Sequence, residues 1–135
     1  MTTITKTRVA NKKRIKVTAD LFGVNFPLRL EPFIYAITDH IAEHYHGGYW
    51  HFYELSNGGF YMALDSDTPL NVSCENGFEG ALSGDALGIA VCLYAYSHLS
   101  FDNGPFAETC AEHYYLLRDY MFEHPEVVAI LGVID

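Results

Sequence analysis

The residues of this 135-residue chain best suited to chemistry are His40-Ile41-Ala42-Glu43-His44. On a helix, histidines at i and i+4 share a face and can hold one metal ion, while the glutamate takes a proton from a metal-bound water. Helical spacing argues against that use here. At about 100° per residue His44 falls beside Ile37, inside the apolar stripe of Phe33, Ile34, Ile37, Ile41 and Tyr45. It is therefore expected to face the core, and no third ligand is marked. Glu54, Asp65 and Asp67 offer carboxylates, but nothing in the sequence fixes the separation that a glycosidase pair requires. Neither a G-x-S-x-G elbow nor a phosphate loop is present. The aromatics Tyr49, Trp50, Phe52, Tyr53, Phe60 and Tyr61 have the flat surfaces of a base binder. They lack the Lys and Arg that a single-strand groove needs, so they are read as core. His51 is read as a core histidine too. The sequence thus assigns no catalytic residue, no metal and no cofactor, and points away from an enzyme.

The element that positions most of these side chains runs from Gly47 to Leu64. Two aromatic-rich runs, 49–55 and 59–64, flank Asn57-Gly58, a pair that tolerates the positive φ angles of a type I′ turn. With those two residues as the loop, Leu55 pairs with Phe60, Tyr53 with Met62 and His51 with Leu64. Trp50, Phe52, Glu54, Tyr61 and Ala63 then share the other face. Both faces are largely apolar, so both are expected to be covered. Trp50, Tyr53, Asn57, Gly58 and Gly59 form the structural motif. Glu54, Asn57, Asp65 and Asp67 are the polar residues set on this scaffold and are the candidates for partner contact.

Around the hairpin the pattern predicts a short turn over 20–26, a helix over 32–45 opened by Pro32, and a third strand over 70–74. Residues 78–82 extend the sheet. Ser83 is placed to cap a helix reaching Leu99, a stretch with no charge between Asp85 and Asp102 and therefore read as buried on all sides. Asn103-Gly104-Pro105 breaks the chain before an amphipathic helix over 106–122, and Pro125 opens a last helix over 126–131. The expected fold class is α+β: one domain, with a three-stranded antiparallel meander around the 49–64 hairpin packed with about four helices.

Charge divides the chain. Six of the eight basic residues lie in the first 16 positions, and all 17 acidic residues follow them. Residues 1–17 read as a basic arm without helical periodicity, expected to be flexible, ahead of an acidic domain over 18–135 in which only Arg29 and Arg118 are positive. Such a body repels nucleic acid and membrane surfaces and favours a basic partner, although simple solubility explains many acidic domains. No run is long enough to span a bilayer, and the start lacks the apolar core of a secretory signal. Cys74, Cys92 and Cys110 are odd in number and show no C-x-x-C spacing, consistent with reduced thiols in the cytoplasm.

The stretch Gly47-Gly48-Tyr49-Trp50-His51-Phe52-Tyr53-Glu54-Leu55-Ser56-Asn57-Gly58-Gly59-Phe60-Tyr61-Met62-Ala63 resembles the signature of the ArdB/KlcA antirestriction proteins. The likeness extends more loosely from about Phe22 to Asp135. The resemblance implies a protein of mobile DNA that relieves restriction of incoming plasmid or phage DNA by type I restriction-modification systems. Two mechanisms fit within it. A DNA mimic would set carboxylates at the charge spacing of a duplex, about 1.7 Å per charge along the axis. The acids here are scattered and a basic arm precedes them, which favours contact with the restriction complex or with a host factor controlling it. A generic acidic interaction module is the further alternative.

Overall fold

The uncharged stretch after Asp85 becomes the axis of the molecule. The computed structural model describes residues 3–135, so the first two residues of the basic arm lie outside the described part. Helix α3 (Gly84–Leu99) is capped as its sequence predicts, with Ser83 Oγ accepting from Ala86 N at 3.1 Å. It lies against strand β3 (Phe60–Leu64), all five residues of which are buried. Small residues allow the close approach. A Cβ added at Gly88 would stand 2.5 Å from Ala63 Cα, and one at Gly84 would collide with the Leu64 carbonyl.

Strand β2 (Trp50–Leu55) pairs antiparallel with β3, as predicted, but in a different register. Glu54 faces Phe60, Tyr53 faces Tyr61, Phe52 faces Met62, His51 faces Ala63 and Trp50 faces Leu64. The loop has three residues, Ser56-Asn57-Gly58, instead of two. Gly58 N donates to Leu55 O at 2.9 Å, Leu55 N donates to Gly59 O at 2.8 Å, and Gly58 alone of the loop takes positive φ, at 94°. This is the three-residue hairpin closed by a left-handed glycine. Because side chains alternate, a slip of one residue exchanges partners across the pair. Trp50, Phe52 and Glu54 share their face with Leu64, Met62 and Phe60, not with Tyr61 and Ala63.

The α+β class and the three-stranded antiparallel sheet stand, with a different third strand. It is β1 (Lys6–Arg8), paired antiparallel to β2 with Lys6 opposite Leu55. The predicted third strand becomes β4 (Leu70–Ser73), which pairs with β5 (Glu79–Leu82) in a separate two-stranded sheet and not with the hairpin. The basic arm therefore carries regular structure: β1, a 3-10 turn at Asn11–Lys13 and helix α1 (Arg14–Phe22). Arg14 fastens it, with its guanidinium donating to Trp50 O at 2.6 Å and to Tyr49 OH at 2.9 Å. A π turn at Phe26–Leu30 leads into α2 (Glu31–Ile41).

Helix α4 (Pro105–Met121) and α5 (Val127–Ile134), the latter longer than predicted, pack on α3 and complete a set of five α-helices among the described residues. Phe22, Phe26, Phe52 and Phe60 meet at ring separations of 5.6–5.9 Å where α1, the π turn and the hairpin converge.

Candidate functional site

The four candidate contact residues do not come together. Glu54 and Asn57 sit at the turn end of the hairpin, while Asp65 and Asp67 follow β3 at its other end, roughly 15 Å away at about 3.3 Å per residue. Glu54, Asp65 and Asp67 are exposed. Asn57 is spent within the fold: its Nδ2 donates to Leu116 O on α4 at 2.9 Å and its Oδ1 accepts from Gly59 N at 3.0 Å. The other motif residues are equally committed. Trp50 is 4 % exposed and donates to Tyr45 OH, and Tyr53 stacks on Tyr61 at 5.1 Å. His51 is not a satisfied core residue: Nε2 meets Asp65 Oδ1 at 3.4 Å, and its buried Nδ1 has no partner.

The His40–His44 pattern is dismantled by the backbone. Helix α2 ends at Ile41, Ala42 turns extended to bridge Val72, and His44 takes a φ of 62°. His44 is therefore exposed instead of core-facing, and the two histidines share no helical face. His40 reaches the β4–β5 turn instead, Nε2 to Glu75 Oε1 at 2.9 Å. Among the described residues no group of three or more His, Cys, Asp and Glu side chains could hold a metal ion.

One polar cluster does assemble, from residues distant in sequence. Asp85, in the first turn of α3, accepts from Tyr61 OH at 2.7 Å and Lys6 Nζ at 3.0 Å, and meets His124 Nε2 at 2.9 Å. Burial pushes its pKa up, but the hydrogen bonds from Tyr61, Lys6 and His124 outweigh this and leave it below the ordinary 3.8. Lys6 answers in the opposite sense. Burial lowers its pKa, and the Asp85 hydrogen bond and charge raise it above 10.5. Burial and the Asp85 carboxylate push the Tyr61 hydroxyl far up, which keeps it a donor. His124 Nδ1 accepts from Glu126 N at 3.0 Å, and Glu126 in turn binds the Ser83 amide and hydroxyl. Ser83 is thus held by the Glu126 carboxylate and not by the histidine. The cluster fastens β1, β3, α3 and the α4–α5 turn to one another. Spacing could not reveal it, because its members come from positions 6, 61, 85 and 124.

Residues 43–135, from the end of α2 through the hairpin to the C-terminal helix, match the model of a family described as antirestriction protein. The chain belongs to the antirestriction protein family. Among the relatives of this antirestriction chain, YafX of Escherichia coli K12 is 44% identical over 98% of this chain and 88% of its own length. An antirestriction protein KlcA of Escherichia coli is 39% identical over 98% and 94%. A solved structure superposes with a TM-score of 0.90, at 37% identity and over all of both chains. It comes from KlcA and ArdB, which show a novel fold and antirestriction activity against type I DNA restriction systems in vivo but not in vitro. Both relatives also match nearly the whole chain, so the antirestriction fold here takes in β1 and α1, ahead of the family-matched residues.

Proposed function

We propose that this protein relieves type I restriction of incoming DNA, such as plasmid or phage DNA, by contacting the restriction complex or a host factor that controls it. The observation that carries this reading is the full-length match to the KlcA and ArdB structure, whose activity is seen in vivo and not in vitro. A direct inhibitor would act on the purified enzyme; an indirect one needs the cell. The charge layout supports the same choice. Asp85, Asp20 and Asp102 are paired with Lys6, Lys16 and Arg29, which removes them from any duplex-like row of phosphates. Among the described residues no helix is long and apolar enough to cross a membrane. The work is done without catalysis, cofactor or metal, in the cytoplasm where restriction occurs.

The test is the plating efficiency of unmodified phage on a host with an active type I system, with and without the protein expressed. Plating should rise toward the level of a restriction-deficient host. Purified protein should leave DNA cleavage by the isolated enzyme unchanged. Inhibition that competes with DNA and fades steeply with salt would establish mimicry instead.

A further inference from the structure

On the face of α3 turned away from the sheet lies a continuous groove. Its central hollow, about 560 Å³, runs between α2, the β4–β5 turn, Tyr94 and His98 of α3, and the end of α5. The floor is apolar, made by Phe33, Ile37, Ile41 and Val133. At one end it continues, through His40 and Glu75, into a second hollow lined by Asp39 and Glu43. At the other it passes Tyr94 and His98 into a third, bordered by Tyr114 and by Phe101, which is 84% exposed. No Lys or Arg lines any of the three.

The walls are fixed. Asn76 Nδ2 donates to the carbonyls of Gly132 at 2.9 Å and Asp135 at 3.0 Å, tying the β4–β5 turn to the C-terminal helix. Tyr94 lies nearly parallel to His98, at 13° and 6.3 Å, and Phe33 packs against both. Tyr94 is nevertheless 46% exposed, a large ring held ready with one side uncovered. Apolar ground, with aromatic anchors at one end and carboxylates beyond the reach of any lining Lys or Arg at the other, selects its occupant by charge.

We infer that this groove is the docking site for a basic, amphipathic segment of a partner protein, its apolar side chains over Tyr94 and Phe101 and its Lys or Arg against Asp39, Glu43 and Glu75. The inference rests on the proposed protein-contact mode of antirestriction and names the surface and the chemistry of the partner. A helix fits the geometry, since apolar residues at i, i+3 and i+4 leave the basic ones along one side.

The test uses the full-length protein and a fluorescent synthetic peptide of Leu and Lys arranged as an amphipathic helix, with a Leu/Glu peptide as control. Saturable binding of the Lys peptide is expected, with amide shift changes confined to the groove lining: α2 and the adjoining Glu43, residues 74–76, α3 on to Phe101, Tyr114 and α5. Glu75→Lys combined with Tyr94→Ala should weaken it roughly tenfold or more, a loss of about 1.4 kcal/mol. Glu54→Lys, on the hairpin, should not. Equal weakening by Glu54→Lys, or shifts spread over the surface, would mean diffuse charge attraction and overturn the groove. Sedimentation decides against the other occupant: wild-type dimers that Glu75→Lys converts to monomers would make it a second copy. In restricting cells the double variant should lose protection while its melting temperature holds. Failure of the wild type to protect would sink the antirestriction reading and leave peptide binding standing. Full protection by a non-binding, folded variant would sink the groove alone.

Discussion

The two long faces of α3 both lack Lys, Arg, Asp and Glu beyond Asp85 and meet opposite fates. Gly84, Gly88, Cys92 and Tyr96, four apart, form the inner face. Each meets the β3 backbone: the two glycines approach Leu64, Met62 and Ala63, Cys92 Sγ contacts Met62 O at 3.6 Å, and Tyr96 OH donates to Phe60 O at 2.7 Å. The outer face carries Tyr94 and His98, both exposed along the groove. Hydropathy marks what a helix can bury, while residue size at four-residue spacing marks what it can interlock with. One face fixes the fold, and the other is left with surface to offer.

The hardest way to break that contrast is to fill the inner face. Gly88→Leu puts a side chain where Met62 O and the Ala63 Cα already stand. The clash is with backbone, which cannot rotate aside, so the cost should exceed about 4 kcal/mol and approach the stability of a domain this size. Little soluble folded protein is expected, and a native-like melt for Gly88→Leu would show that α3 does not rest on β3 as described.

Next in size is Asp85→Ala at the N-terminal end of α3. It strands Lys6, Tyr61 and His124 at once, and its own side chain is 26% exposed. A loss of about 2–3 kcal/mol is expected in urea unfolding. The sign of its pH dependence follows from its depressed pKa. The contribution is complete above the unfolded carboxylate value of 3.8 and disappears as pH falls through the lower folded value. Acid unfolding of the wild type should therefore steepen below that point, and Asp85→Ala should lack this part of it.

Behind the inner face, His113 gives a separate and smaller acid step. Its ring packs 4.8 Å from Phe22 and 5.6 Å from Tyr96, and its buried Nδ1 has no partner. Burial pulls its pKa below 6.5, with Glu112 opposing weakly. A lowered histidine stabilises above the unfolded value of 6.5 and loses that contribution as pH falls from there. Melting temperature should drop between neutral pH and the Asp85 window, by less than Asp85→Ala itself costs. His113→Leu should flatten that drop, and an unchanged pH profile in this variant would assign the step to another group.

Much of this architecture was legible in the sequence, and the failures have physical causes. The hairpin, the Ser83 cap, the Gly104-Pro105 break and α4 follow from local signals, since caps and turns act over a few residues. The hairpin register failed because Asn57-Gly58 fits two loop geometries; in the three-residue loop Asn57 bonds to Leu116 O, a partner too distant in sequence for any local signal to show. Strand β1 went unseen because Lys6, Thr7 and Arg8 are all exposed, so no alternation betrays an edge strand. Helix α2 stops at Ile41 although the apolar stripe runs on to Tyr45, because Ala42 and Glu43 pair with Val72 and Asn71 of β4. Candidate contact residues chosen by polarity along one hairpin fell at opposite ends of it. The groove was invisible for the complementary reason, being assembled from α2, the 74–76 turn, α3 and α5.

The finest test of the two faces removes one oxygen from each. Tyr94 and Tyr96 stand two residues apart on the same helix, and Tyr→Phe leaves the ring of either in place. At Tyr96 the hydroxyl is buried and is bonded to Phe60 O; burial holds its pKa well above the ordinary value, so it is always a donor. Its loss leaves a buried carbonyl short of a partner and should cost about 1 kcal/mol. Tyr94, 46% exposed, makes its contacts through its ring, so Tyr94→Phe should change stability by less than about 0.5 kcal/mol. Protection in restricting cells should survive Tyr94→Phe as well, because the anchor in the groove is the ring face, and should fall only when the ring itself is removed in Tyr94→Ala. Equal stability losses for the two phenylalanine variants would erase the distinction between a face that holds the fold and a face that is free. Loss of protection in Tyr94→Phe with unchanged melting would move the contact from the ring to the hydroxyl, and the partner's matching group from an apolar side chain to a hydrogen-bonding one.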